Sequence, residues 1–427
     1  MVLMKISEKD RWFFAYGLAN LAAGGSSVLL PLYALQLGAN VSEIGLLAAA
    51  GSFMAVPASI LWGNISDRLK IRKYLVLFGF LGISIAFLFM AFSKSLIHLI
   101  ISNGFFSLWW MASVSMGTVM IVEKEDKEDW GHKIASFNYT VGFGWLLGLI
   151  TGLSWNGFSN LIFDERLTFF YLFIFFSIIS FLSFLAALVW IKEKRKFKKR
   201  SVKEIFLNAA PLNTERFRYL PSKIYFRLSP EAIKKTFKNT SKKSNLFLVA
   251  TSFFFIGFSI FFVPLPAWLK QNVGLSSNGI YLLFIINSAA STLFNTRAGR
   301  IIKIFGSLKS LVASLSVRLL LFPAILFPLV FDNRSLVVGI MAIFLFMFGA
   351  SWSIISIGNS VILADISSNE LKGKIFGVYN GIIGFSGVVG AVLGGFLAEL
   401  LGYHGSFISA SVFLLFGLFF LFRSSRL

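Results

Sequence analysis

The stretch TFFYLFIFFSIISFLSFLAALVWI, residues 168–191, contains no charged side chain. As a helix rising about 1.5 Å per residue, it is long enough to cross the roughly 30 Å of hydrocarbon in a bilayer. The composition of the whole chain is also strongly apolar, since 56% of its 427 residues are hydrophobic and only 14% are charged. A soluble protein of this composition would have too little polar surface. We therefore predict an all-α membrane protein.

Apolar stretches of this length recur along the chain and predict twelve transmembrane helices. The predicted spans cover residues 12–36, 42–65, 74–92, 96–122, 134–154, 168–191, 245–269, 278–297, 308–331, 335–363, 375–400 and 404–422. An even number of spans places both termini on the same side of the membrane.

The positive charges indicate which side that is. Of the 40 Lys and Arg residues, only Lys94, Arg166, Lys270 and Arg334 fall in the loops opposite the termini, and Arg318 falls within a span. Because cytoplasmic loops carry an excess of Lys and Arg, we predict cytoplasmic termini and a location in the cell membrane. A net charge of +21 that collects on one side of a membrane does not predict nucleic-acid binding.

The chain divides into two similar halves. Residues 1–191 and 245–427 each contain six predicted spans, and residues 192–244 form a basic cytoplasmic linker, either a solvated tether or a surface helix on anionic lipid. Aligning Gly131 with Gly373 pairs Asn138 with Asn380 and also pairs several glycines of spans 5 and 11. We therefore predict two pseudo-symmetric six-helix bundles, with close helix packing at the glycines.

A short motif follows the second span, where residues 63–73 read GNISDRLKIRK. It resembles the signature loop of the major facilitator superfamily, in which a glycine is followed four residues later by Asp-Arg and then by basic residues. Gly63, Asp67, Arg68 and Arg72 fit this pattern, while Lys70 and Ile71 depart from it. The resemblance implies a monomeric carrier that moves a small solute by alternating access.

The motif also predicts a conformational latch. An aspartate at a membrane edge can accept hydrogen bonds from the unpaired N–H groups that begin a neighbouring helix. The resemblance places that partner of Asp67 at the start of span 11, near Gly373, and pairs Arg68 and Arg72 with acidic residues such as Glu123. The alternative is a cationic loop that only orients the protein.

The resemblance places the substrate near the membrane midplane, between the halves. Polar or aromatic residues predicted at that depth are Asn20, Asn103, Trp109, Asn138, Tyr139, Asn287, Trp352, Tyr379 and Asn380. Among them Asn138 and Asn380 are favoured, because an amide in hydrocarbon needs a partner and the repeat places them at equivalent positions. A hydrogen bond between helices is the alternative for either residue.

Two charges, Glu43 and Arg318, are candidates for ion coupling, with a proton or another ion as the coupled partner. The sequence has no cysteine and three histidines, and no cluster of acids suggests catalytic residues, a metal site or a cofactor. We predict a secondary transporter or facilitator, with export of an amphipathic or hydrophobic compound favoured because the predicted cavity is aromatic. Uptake of a neutral solute such as a sugar is the alternative, and a membrane enzyme or a channel is a more remote one.

Overall fold

The computed structural model describes residues 10–69, 71–124, 129–159, 161–191, 241–366 and 372–425, and these ranges are helical without a strand. The α-helices are α1 Phe13–Gln36, α2 Val41–Leu69, α3 Arg72–Ala91, α4 Leu96–Lys124, α5 Trp130–Ser159, α6 Glu165–Trp190, α7 Lys242–Phe262, α8 Leu265–Gln271, α9 Ser277–Phe305, α10 Ser307–Ala324, α11 Arg334–Ile366 and α12 Lys372–Ser425. A 3₁₀ helix spans Phe327–Val330. Nearly all of the predicted linker, residues 192–240, lies outside the described residues.

The described residues contain eleven helices that are long and apolar enough to cross a membrane, and the last of these spans is 47 residues long. Gly402 interrupts it with a φ of 70° and a ψ of 171°. The Ser406 hydroxyl then donates to Gly394 O at 3.3 Å, although residues twelve apart in one continuous helix lie about 18 Å apart. The chain therefore reverses at Gly402, and counting the two arms of α12 separately gives twelve candidate spans among the described residues. The predicted all-α membrane fold is confirmed.

The two halves use the same order of helix neighbours. In the first bundle α1 packs against α5 and α6, α3 packs against α4 and α6, and α2 packs against α4. In the second bundle α7 packs against α12, α9 against α11, and α10 against both α11 and α12. The Ser177 hydroxyl donates to Ser84 O at 2.8 Å, and at the matching place the Ser411 hydroxyl donates to Leu319 O at 2.9 Å.

Glycines bring helices of each bundle into backbone contact. A Cβ atom on Gly148 of α5 would lie 1.9 Å from Leu21 O of α1. At the equivalent place in the second bundle, a Cβ atom on Gly390 of α12 would lie 2.5 Å from Ile256 O of α7. Only a residue without a side chain allows either approach, because backbone atoms cannot turn aside as a flexible side chain can. These contacts confirm the close packing predicted for the glycine-rich spans.

We predict that Gly148→Ala lowers the thermal stability of the purified protein, because the added methyl group meets the backbone of α1. Overpacking of this kind costs about 1–3 kcal/mol. The measurement is thermal unfolding in detergent, followed by tryptophan fluorescence. Gly142→Ala is the matched control, since a Cβ atom there meets nothing within 4 Å. Equal melting temperatures for the two variants would contradict the packing described for α1 and α5.

Candidate functional site

The two bundles meet at the face opposite the termini, which we call the distal face; the face where α1 begins and α12 ends is the termini face. At the distal face, Glu165 Oε1 accepts hydrogen bonds from Lys270 Nζ and Ser277 Oγ, both at 2.7 Å. Deeper in the protein, the Tyr281 hydroxyl of α9 donates to Gly25 O of α1 at 2.8 Å. These bonds between the bundles close the pathway on the distal side.

Helices α2 and α12 pack most closely toward the same face. A Cβ atom on Gly395 would lie 2.8 Å from Val41 O, and one on Gly45 would lie 2.6 Å from Ala391 O. Toward the termini face, Gly63 of α2 and Gly381 of α12 each have nothing within 4 Å of a built Cβ atom. Among the described residues, the closest backbone approaches of α2 and α12 therefore lie toward the distal face.

A cavity of about 190 Å³ lies inside the first bundle, between α1, α3, α4 and α5. Among the described residues, those lining it include no charged side chain and are mostly apolar or aromatic: Ala23, Ser26, Ser27, Leu30, Phe87, Met90, Asn103, Phe106, Trp110 and Trp145. Of the residues that the sequence analysis proposed for the substrate cavity, Asn103 is the one in this lining.

Asn103 and Asn287 both join helices. Asn103 Nδ2 donates to Leu47 O at 2.8 Å, which ties α4 to α2. Asn287 Nδ2 donates to Leu345 O at 3.0 Å, which ties α9 to α11, the corresponding pair in the second bundle. A glycine faces each asparagine, Gly51 in the first bundle and Gly349 in the second. A hydrogen bond between helices is thus present at both Asn103 and Asn287.

The remaining cavity candidates are spread over different environments. Asn20 is buried, and its Nδ2 donates to Tyr16 O of its own helix at 2.8 Å. Trp109 is partly buried, and its ring lies against Gly82. Asn138, on α5, is exposed.

Tyr139, also on α5, is exposed and stacks on Phe143. On the second-bundle side, Trp352 is 37% exposed and Tyr379 is 8% exposed. Asn380 is exposed, as is its repeat partner in α5. The structure does not gather the nine candidates into one site.

The predicted latch is only partly within the described residues. Arg72 Nη2 lies 2.9 Å from Glu123 Oε1, and the Arg72 guanidinium also contacts the Ser66 hydroxyl. This ion pair joins the start of α3 to the end of α4, so it lies wholly within the first bundle. The side chains of Asp67 and Arg68, and the surroundings of Gly373, lie outside what the structure describes.

Comparison with known proteins identifies the class of this fold. The sequence model of the Major Facilitator Superfamily matches residues 12–356 and 247–426. The chain belongs to the Major Facilitator Superfamily. No curated protein sequence matches it significantly.

Solved transporters of this superfamily share the fold over nearly the whole chain. A variant of the nucleoside transporter NupG has a TM-score of 0.75 at 13% identity, over 98% of this chain and 100% of that one. The peptide transporter POT, in complex with sulfate, has a TM-score of 0.71 at 13% identity, over 100% of this chain and 96% of that one. An inward-facing, unoccupied bacterial homologue of the human lysosomal transporter Spinster has a TM-score of 0.67 at 14% identity, over 98% of this chain and 96% of that one. At these identities the likeness establishes the fold, not the substrate.

Of the two candidate coupling charges in this superfamily member, Glu43 lies at the start of α2. Its Oε2 accepts from Asn40 N at 2.9 Å, while Asn40 Oδ1 accepts from Glu43 N at 2.9 Å. This reciprocal arrangement is a capping box, which satisfies the first N–H groups of a helix. The structure therefore gives Glu43 a role in beginning α2 at the distal face.

Arg318, the other candidate, is 1% exposed in α10. Its Nε donates to Ser351 Oγ at 3.0 Å and its Nη2 donates to Phe348 O at 2.8 Å. The guanidinium carbon also lies 4.6 Å from the ring centre of Phe258 and 5.5 Å from that of Trp352. No carboxylate among the described residues forms an ion pair with it, so hydrogen bonds and aromatic faces take the place of a counter-ion.

We predict that Arg318→Ala destabilises the second bundle, because it removes two bonds between α10 and α11 and leaves a cavity among aromatic rings. The expected loss is about 2–4 kcal/mol. Thermal unfolding in detergent measures it, with Arg300→Ala as the control, since Arg300 is exposed. A melting temperature for Arg318→Ala equal to that of the control would show that the guanidinium is not packed as described.

Proposed function

We propose that the chain exports a small amphipathic or hydrophobic compound across the cell membrane, with both termini in the cytoplasm. The observation that supports this proposal is the 190 Å³ cavity, whose described lining is aromatic and aliphatic without a charged side chain. A pocket of this composition binds by burying apolar surface, while a few polar groups orient the ligand.

The polar groups of the cavity favour this substrate class over the alternative. The lining includes two serine hydroxyls and the Asn103 amide, and the Asn103 nitrogen is already bonded to Leu47 O. A sugar would bury many hydroxyl groups, and each one left without a partner costs about 1–3 kcal/mol. Uptake of a neutral sugar is therefore the less favoured function.

Alternating access provides the mechanism of the proposal. The bonds between the bundles close the distal face, and in the proposed cycle the solute therefore enters from the cytoplasmic side. Each bundle is held together by its own glycine contacts, so the two bundles can rock against each other as units, and the cavity moves with the first bundle. Outward opening then requires the bonds of Glu165 with Lys270 and Ser277, and of Tyr281 with Gly25, to break. In a carrier of this kind, opening at one face requires closure at the other, so the solute never meets a continuous channel.

The latch completes the proposed cycle. When the termini face closes, Asp67 at the end of α2 is proposed to accept hydrogen bonds from the first N–H groups of α12, near Gly373. The ion pair of Arg72 with Glu123 holds the adjoining loop to the first bundle. The latch would therefore form only in conformations that open outward, and its loss would favour the inward-open form.

We predict that everted membrane vesicles containing the protein accumulate fluorescent amphipathic compounds with saturable kinetics. Asp67→Asn is expected to lower the initial rate, because a helix-capping contact contributes about 1 kcal/mol, or roughly a fivefold change in population. Initial rates of dye accumulation at matched protein levels are the measurement.

Asp332→Asn is the control variant, since Asp332 is an exposed residue at the distal face. Saturable uptake of a sugar into right-side-out vesicles, without accumulation of any amphipathic compound in everted ones, would overturn the export proposal. Equal rates for Asp67→Asn and Asp332→Asn would overturn the latch.

A further inference from the structure

The first-bundle cavity has a structural counterpart in the second bundle. The matching bonds of Ser177 to Ser84 O and of Ser411 to Leu319 O fix the correspondence of α3 with α10. One turn beyond these acceptors lie Phe87 and Phe322. Each phenylalanine packs on a phenylalanine of the next helix, with ring centres 5.3 Å apart for Phe87 and Phe106 and 5.5 Å apart for Phe322 and Phe348. A tryptophan follows one turn later in both helices, Trp110 in α4 and Trp352 in α11.

The two sites differ on the helix that opens each bundle. The contacts of Gly148 with Leu21 O and of Gly390 with Ile256 O align α1 with α7. In this alignment α1 presents small residues where α7 presents three phenylalanines. The small residues are Ala23, Ser26 and Ser27, and their counterparts are Phe258, Phe261 and Phe262. The phenylalanines fill the space in the second bundle, while the small residues leave the 190 Å³ cavity in the first.

A cation occupies the filled site. The Arg318 guanidinium carbon lies 4.6 to 5.9 Å from the ring centres of four aromatic residues, Phe258, Phe262, Phe348 and Trp352. In the first bundle Ile83 stands where Arg318 would be. The empty site keeps the equivalent rings of Phe106 and Trp110 and adds Trp145. Faces of such rings attract a cation that has left water.

The oxygen-bearing side chains of the cavity present acceptors. The Ser26 hydroxyl donates to Ala23 O at 3.0 Å and the Ser27 hydroxyl donates to Gly24 O at 2.6 Å. The Asn103 nitrogen donates to Leu47 O at 2.8 Å. With these donors engaged, the lone pairs of both hydroxyls and of the Asn103 carbonyl oxygen can accept from a guest that carries N–H groups.

We propose that this cavity is a binding site for a hydrophobic organic cation with N–H donors, an ammonium or guanidinium ion attached to an apolar group. Acceptor oxygens and aromatic faces both favour a positive guest, and the second bundle holds its own guanidinium at the equivalent place. The inference rests on the proposed function, since it names the class of compound that the exporter carries.

The test is calorimetric titration of the full-length protein in lipid nanodiscs with benzylguanidinium. Benzylurea is the neutral analogue of similar shape, and 3-phenylpropionate is the anionic probe. Benzylguanidinium is expected to bind at least tenfold more tightly than benzylurea, and 3-phenylpropionate is expected not to bind.

Ser27→Phe places on α1 the residue that α7 carries at the equivalent position, and exposed Ser27 leaves room for the ring. It is expected to weaken benzylguanidinium binding at least tenfold. Ser154→Phe, the same change at an exposed position of α5, is expected to bind like the unmodified protein. Thermal unfolding of both variants confirms that each is folded before titration.

Equal affinity for benzylguanidinium and benzylurea would overturn the proposal, as would unchanged binding to folded Ser27→Phe. The vesicle assay distinguishes failure of the cation site from failure of the proposed export function. Cation binding that Ser27→Phe abolishes, without export from vesicles, would support the site and contradict the exporter. Export of neutral amphipathic compounds without cation binding would support the exporter and overturn the site.

Discussion

Backbone-to-backbone contact at glycine is the interaction on which this structure depends. Lipid is as apolar as a leucine side chain, so water does not drive the helices together within the membrane, and close packing must do so. Gly148 and Gly390 let the backbones of paired helices touch within each bundle. Gly45 and Gly395 do the same between the bundles, near the distal face. The glycines thus create two compact units and the surface along which they meet.

The two bundles have kept one architecture while their interiors have diverged. The crossing of α2 with α4 uses Gly51 against Asn103, and the crossing of α9 with α11 uses Asn287 against Gly349. The asparagine has changed helix, yet a bond from its amide to a carbonyl remains in both bundles. By contrast, the aromatic site is open in the first bundle and filled around Arg318 in the second. This asymmetry is the reason that the proposed binding site lies in the first bundle.

Hydropathy was sufficient to predict the membrane helices, because each span must fill the hydrocarbon thickness with apolar residues, while the internal repeat predicted the two bundles. The break at Gly402 falls between the predicted spans 375–400 and 404–422, and the structure reverses there. Glu43 could be recognised as a charge near a span end, but its bonds with Asn40 depend on how the preceding loop folds. The role of Glu43 in capping α2 therefore became visible only in the structure.

The candidate site was harder to predict, because small residues in a membrane helix indicate packing as readily as a cavity. Ala23, Ser26 and Ser27 line the cavity, yet nothing in α1 alone distinguishes them from packing residues. The available clue was the comparison of α1 with α7, in which small residues face phenylalanines. Arg318 was identifiable as a buried charge, whereas the aromatic rings around it come from two other helices and required the structure.

Distances between the bundles at both faces test the central claim, that the two openings exclude each other. The chain has no cysteine, so introduced pairs are unique sites for spin labels. One pair, Leu161→Cys with Asn272→Cys, reports on the distal face; the other, His132→Cys with Arg300→Cys, reports on the termini face, and all four positions are exposed. Pulsed electron–electron double resonance in nanodiscs measures the distance between the two labels of each pair. The fraction of molecules with a short distance at one face should equal the fraction with a long distance at the other. Populations that lengthen together at both faces, or that vary independently, would contradict alternating access.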